Sequence, residues 1–227
     1  CIETLNEQNL PKLKKSKCIG ISIGMETGSE WIRRNVLLKG KMTNEMYLNG
    51  FKMMAKHGIR STCNVMVGFP GEYEEDVFDT IKLNKKIRAI DQELTSCDVY
   101  FVAPYAGTVI HNICLDLGLI ETYDKPGFKG MCKNITFRRE PVIVNPSMSK
   151  KRIMELVSDF SDYINGKKDI PKKFLETDPT RKYAEGDPIY QLYEYYKKGP
   201  VDIDPNNIDT SKKIYNKIQT TTSPQFI

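Results

Sequence analysis

The chain has 227 residues, a hydrophobic content of 40% and a net charge of +5, from 34 basic and 29 acidic side chains. That length supports a sizeable core, as one large domain or one domain with an appendage, and the composition argues against disorder. No apolar run nears the roughly 20 residues that span a bilayer, the N-terminus lacks a signal-peptide pattern, and the scattered lysines read as a solvated surface rather than a nucleic-acid patch.

Residues 1–17 are polar and lysine-rich, as a connecting loop or short helix would be. Over 18–25, isoleucines alternate with glycine and serine, which predicts a strand, and Thr27-Gly28-Ser29 turns the chain. Ser29 is placed to cap a helix over 30–38 that Lys39-Gly40 ends. Thr43 caps a second helix with an apolar stripe of Met46, Leu48, Phe51, Met54 and Ala55, closed by His57-Gly58. A second strand over 59–67 runs into Gly68-Phe69-Pro70-Gly71-Glu72. The helix predicted over 72–90 begins with Glu72, Glu74, Glu75 and Asp76 and carries Lys82, Lys85, Lys86 and Arg88 later, in keeping with the helix dipole. A third strand over 96–103 leads through Pro104-Tyr105-Ala106-Gly107 to Thr108, the cap of a helix that stops at Gly118.

Three strand-then-helix units in succession imply parallel strands, hence an α/β fold that is a barrel, a doubly wound sheet or part of one. Beyond residue 120 the pattern weakens. Short β-like pieces fall at 135–137 and 142–144. Ser149 begins a helix with Ile153, Leu156, Val157, Phe160 and Ile164 on one face, and a tyrosine-rich helix is expected over 187–198. The chain therefore divides into a leader (1–17), an α/β unit (18–120), a mostly helical extension (121–200) and a polar, flexible tail (201–227).

The six cysteines, at positions 1, 18, 63, 97, 114 and 132, are too widely spaced for CxxC or CxxxCxxC. They read as reduced core thiols, which points to the cytoplasm. A chain that starts with Cys1 and soon enters its first strand reads as a piece of a longer protein.

Ligands of α/β proteins sit where strands end and helices begin. Glu26 ends the first strand between Gly24 and Gly28, which leave room for close backbone approach. Its carboxylate would bind a ribose diol or a ligand amine, or be satisfied by a neighbouring base or helix N-terminus. The Gly68–Glu72 turn could offer backbone groups of Met66 to Gly68 to a flat heterocycle, or simply stabilise the helix start. Asn64, polar within an apolar strand, should reach a partner or line a cavity. His57 and His111 read as structural, and no Ser/His/Asp set, phosphate loop or zinc spacing occurs.

In order and spacing, the motifs GMETGS (24–29), KGKMT (39–43), VGFPGE (67–72) and APYAGT (103–108), with Leu117-Gly118, resemble the radical S-adenosylmethionine (SAM) superfamily. The resemblance is closest to its cobalamin-dependent and methylthiotransferase-like members. It implies strands four to six of a six-stranded partial TIM barrel, so that residues 18–120 would be its C-terminal half. It further implies that Glu26 contacts the ribose or amino-acid part of SAM, that Thr27 and Ser29 line the same pocket, and that Lys39 approaches the SAM carboxylate. Asn64, Met66, Val67 and Gly68 would contact ribose and adenine, and Val102 and Ala103 would complete the adenine pocket.

The family's reductive cleavage of SAM to a 5′-deoxyadenosyl radical, or methyl transfer, needs a CxxxCxxC loop holding a [4Fe–4S] cluster. That loop does not occur in this sequence. The expectation is a fragment that carries part of the SAM pocket and no cluster, from a parent that uses SAM, the cluster and, in some branches, cobalamin. The substrate, small molecule or protein, is not legible. An exposed strand edge would favour self-association. Two other readings stay open: a non-catalytic α/β module binding a nucleotide or a protein, and a different (βα) barrel such as an aldolase-like lyase. The latter would need a strand-end lysine, which the sequence does not show.

Overall fold

The computed structural model describes residues 1–39, 41–120 and 140–180, together with Tyr190 and Tyr193. Within these, three parallel strands, β1 (Gly20–Glu26), β2 (Arg60–Val67) and β3 (Thr95–Phe101), form an open sheet in the order β1-β2-β3. After a 3-10 turn at Ile2–Thr4, the helices are α1 (Leu10–Lys15), α2 (Glu30–Asn35), α3 (Asn44–Lys56), α4 (Glu74–Arg88), α5 (Val109–Asp116) and α6 (Lys150–Ile164), followed by a 3-10 turn at Lys172–Phe174. The architecture is the α/β fold expected, with parallel strands joined through helices as in part of a barrel.

Local chemistry sets the helix starts. Ser29, Thr43, Thr108 and Ser149 are the N-caps of α2, α3, α5 and α6, and each side-chain oxygen accepts from an N–H three residues on. The start of α4 differs from expectation. Tyr73 is its N-cap, with its own N–H held by Asp76 Oδ2 at 3.0 Å, and Glu72 falls outside the helix. Helix α2 is shorter than 30–38, ending at Asn35 as the chain turns through Leu38 at φ 54°. The expected strand at 142–144 is absent: this stretch is irregular, and Val144 donates to Leu119 O at 2.9 Å. The β-piece expected at 135–137, the tail at 201–227 and most of the helix expected over 187–198 lie outside the described residues.

One face of the sheet is apolar and covered. Ile23, Met25, Cys63, Val65 and Val67 pack in one core with Phe51 and Met54 of α3, Val77, Phe78 and Ile81 of α4, and Ile153, Leu156 and Phe160 of α6. Phe78 stacks on Phe174 at 4.2 Å and meets Tyr163 edge-on at 5.5 Å, which ties the extension to the sheet's helical layer. A second core joins Ile32, Phe69, Val102 and Ile113 to Tyr190 and Tyr193. Cys63 and Cys114 are buried as expected, and the five described cysteines are free thiols. Burial pushes the Cys63 thiol well up and that of Cys114 to about 12, so neither is a thiolate at neutral pH.

The opposite face is polar and partly open. Ser22, Thr62 and Ser96 share one row across the strands, and Gly24, Asn64 and Asp98 the next. Thr62 and Ser96 hydroxyls are 2.9 Å apart, and Asn64 Nδ2 donates to Ser22 Oγ at 2.5 Å. Alternation of burial along β2 and the C-terminal half of β1 therefore separates a core face from a solvated one. Among the described residues β1 pairs with β2 alone, leaving its other edge open. No described helix is long and apolar enough to cross a membrane.

Candidate ligand cleft at the strand ends

At the C-terminal ends of the strands, the open face deepens into a cleft of about 360 Å³ lined by Gly24, Glu26, Asn64, Met66, Tyr100, Phe101, Ala103 and Tyr105. All three strands contribute. The void begins at Gly24, because its row partner Asn64 faces a residue without a side chain.

Glu26 is placed there by an irregularity in the backbone. The β1–β2 register runs regularly from Gly20 to Gly24 and then shifts, so that Glu26 pairs with Val65. Glu26 itself takes a left-handed φ of 72°. Bulges of this kind re-aim side chains beside functional sites, and a left-handed non-glycine costs about 1 kcal/mol or more, so it persists only where its surroundings hold it. Those surroundings are identifiable. Lys39 Nζ binds Glu26 Oε1 at 2.7 Å and also donates to Gly24 O at 3.3 Å. The next carbonyl, that of Thr27, accepts from the guanidinium of Arg33.

Arg33 is fully buried. Its guanidinium also donates to Met42 O at 3.1 Å and Asn44 Oδ1 at 2.7 Å, and lies 4.7 Å from the centre of the Tyr47 ring. Burial lowers its pKa from the ordinary arginine value, which still leaves a cation. Asn44 in turn donates to Gly28 O at 2.9 Å. One buried cation thus ties the β1–α2 turn to the start of α3.

The Gly68–Glu72 turn is equally fixed. The fully buried Glu72 carboxylate turns back to the strand end, where Oε2 accepts from Gly68 N at 2.6 Å and Phe69 N at 3.3 Å. Its other oxygen, Oε1, has no donor among the described residues. Burial, with Asp76 adding to it, holds the Glu72 pKa well above the usual carboxylate range.

Five of the ten residues expected at the site meet here. Glu26, Asn64, Met66 and Ala103 line the cleft, and Lys39 is bonded to Glu26. The others lie behind it. Thr27 and Ser29 are buried, with Thr27 Oγ1 3.2 Å from Thr80 Oγ1 and Ser29 capping α2. Val67 and Val102 are buried in the two cores, and the Val67 carbonyl is taken by Val102 N at 3.0 Å. The Gly68 N–H is taken by Glu72. Tyr100, Phe101 and Tyr105 complete the lining without having been singled out. Tyr100 was within reach of sequence reasoning, since it stands two residues after Asp98 on the solvated face. No sequence signal marks Arg33, because a buried arginine reads as a surface charge. Among the described residues no group of His, Cys, Asp and Glu could hold a metal ion, so the cleft offers binding groups and no cluster ligands.

Residues 1–83 match the family model of the Radical SAM superfamily. An uncharacterized methyltransferase of Pyrococcus horikoshii is 26% identical over 122 residues, which cover 53% of this chain and 25% of that protein. The chain thus spans about a quarter of the length of this curated relative. With its parallel strand-and-helix order and the turn motifs at each strand end, the chain is similar to the radical SAM superfamily, the family-model match lying within its first 83 residues.

Proposed function

We propose that this chain supplies the nucleoside- and amino-acid-binding side of a SAM cleft within a radical SAM enzyme. The observation that carries the reading is Glu26, held left-handed on a bulge and paired with Lys39, at the mouth of a cleft shared with Asn64, Met66 and Ala103. A carboxylate and an ammonium 2.7 Å apart complement a zwitterion, the acid meeting an α-ammonium and Lys39 an α-carboxylate. Met66 and the aromatic Tyr100, Phe101 and Tyr105 give a largely apolar wall suited to a flat heterocycle. Asn64, also on the cleft wall, offers an amide to a ribose.

The family's cluster would supply the electron that breaks a carbon–sulfur bond of SAM. The described residues have no ligand set for it. Their part is to bind the sulfonium's amino-acid and nucleoside ends and to hold them apart at a fixed span. Methyl transfer, which the name of the Pyrococcus relative indicates for that protein, is the reaction class we propose for the full-length enzyme. The open edge of β1 is then a surface for a further strand, from the rest of that enzyme or from a second copy.

Calorimetry with S-adenosylhomocysteine tests the reading. Saturable binding by the full-length protein, weakened about tenfold in Glu26→Ala and in Lys39→Ala, is expected from loss of one charged partner. Affinity unchanged by either substitution would remove the cleft from consideration.

A further inference from the structure

The two turns that bear the cleft are connected by residues far downstream. Every carbonyl from Phe69 to Glu72 accepts a hydrogen bond from a side chain beyond residue 144. Asn145 Nδ2 donates to Phe69 O at 2.9 Å and Glu72 O at 3.2 Å, Tyr193 OH to Pro70 O at 2.9 Å, and Tyr190 OH to Gly71 O at 2.6 Å. All three side chains are buried. Together with the grip of Glu72 on the Gly68 and Phe69 N–H groups, they fix the turn's backbone.

The same segment holds the β1 side. The ring of Tyr190 meets Trp31 of α2 edge-on at 4.3 Å, and Glu30 N donates to Pro179 O at 2.9 Å. Thr177 is anchored on α4 by Asp79 Oδ1 and Lys82 Nζ, at 2.5 and 2.6 Å. Tyr190 thus stands between α2, the helix that follows the Glu26 turn, and the turn that follows Met66, touching both and not among the residues that line the cleft.

We propose that Tyr190 and Tyr193 are positioning residues which set the span between the acidic end of the cleft at Glu26–Lys39 and its heterocycle end at Met66–Ala103. The inference rests on the SAM reading of the cleft and adds a determinant of specificity from outside the matched family segment. A ligand that bridges both ends depends on their separation, because each end is pre-organised only relative to the other. A ligand that occupies one end does not.

The test uses the full-length protein and the Tyr190→Phe, Tyr193→Phe and double variants, which lose hydroxyls but keep the rings. Three probes are compared by calorimetry: S-adenosylhomocysteine, which spans the cleft, and adenosine and methionine, which fill one end each. The double variant is expected to lose about tenfold in affinity for S-adenosylhomocysteine, with each single-end probe changed by less than about threefold. Amide hydrogen exchange should accelerate at 68–73 and stay unchanged in α3.

Equal losses for all three probes would mark a general destabilisation and overturn the proposal, as would unchanged affinity for S-adenosylhomocysteine. Unchanged exchange at 68–73 overturns it whatever the ligands do. If the unaltered protein fails to bind S-adenosylhomocysteine, the SAM reading itself falls and this inference with it, an outcome separate from a failure seen only in the variants.

Discussion

Gly28 lies where the β1–α2 turn meets the backbone of α4, and Gly28→Ala measures how tightly the two are fitted. A Cβ there would lie 2.5 Å from Asp79 O and Thr80 Cα and 2.7 Å from Asp79 C. Ordinary contact is about 3.5 Å, so the turn would have to withdraw by about 1 Å, and helical backbone does not yield as a side-chain tip does. Withdrawal strains two hydrogen bonds, Gly28 N to Thr80 Oγ1 at 2.7 Å and Asn44 Nδ2 to Gly28 O at 2.9 Å. Overpacking costs about 1–3 kcal/mol and each lost bond roughly 1 kcal/mol, giving about 3–5 kcal/mol against a typical domain stability of about 5–15 kcal/mol. With a urea slope of about 2 kcal/mol/M, the unfolding midpoint should fall by about 1.5–2.5 M. Gly118→Ala is the control: its φ of 66° strains a side chain, but nothing among the described residues lies within 4 Å, so about 1 kcal/mol is expected. A loss for Gly28→Ala no larger than that of the control would refute the packing argument.

Three further outcomes are expected. Gly24→Ala puts its Cβ onto Glu26 Oε1, the far end of a flexible side chain. It should leave the urea midpoint nearly unchanged while dislodging the carboxylate from Lys39 and weakening S-adenosylhomocysteine binding about tenfold in calorimetry. Arg33→Lys cannot serve Thr27 O, Met42 O and Asn44 Oδ1 with one fork. It should cost about 2–4 kcal/mol in urea unfolding, a loss below about 1 kcal/mol counting against the role given to Arg33. Glu72 binds its proton more tightly in the fold than in the unfolded chain, so its stabilising contribution is full below pH 4.5, the ordinary value, and is lost as pH rises through the raised folded value. Glu72→Gln keeps an acceptor for Gly68 and Phe69 without a charge, and its urea midpoint should depend less on pH than that of the wild type above that point. Equal slopes would contradict the assignment.

What the sequence made legible was the chemistry that acts over a few residues. Ser29, Thr43, Thr108 and Ser149 were readable as caps because a hydroxyl before an apolar-periodic run has one obvious N–H to serve, and each serves it. The strands were readable because β-branched runs end at glycine turns. Glu72 was misplaced for the same reason: beside an acidic helix start it reads as helix, whereas it turns back to the strand end it follows. Of the residues that motif order singles out, Glu26, Asn64, Met66 and Ala103 line the cleft and Lys39 is bonded to Glu26, whereas Thr27, Ser29, Val67, Gly68 and Val102 lie behind it, a difference of burial that motif order does not carry. Asn145, Tyr190 and Tyr193 act across the fold, Tyr190 reaching a carbonyl 119 residues away. No local pattern encodes such a contact.

The central claim is that a SAM-like ligand lies along the strand ends between Glu26 and Ala103. The most direct measurement is methyl NMR of the protein carrying ¹³C-methyl methionine, titrated with S-adenosylhomocysteine. Met66, on the cleft wall, should shift and saturate with the calorimetric affinity, while Met148 and Met54, buried in the helical core, should not. A second cleft at the opposite end of the sheet, lined by Lys14, Lys17, Cys18, Ile19, Gly58, Arg60 and Leu94, contains no methionine. Binding that leaves Met66 unmoved would place the ligand elsewhere and contradict the account.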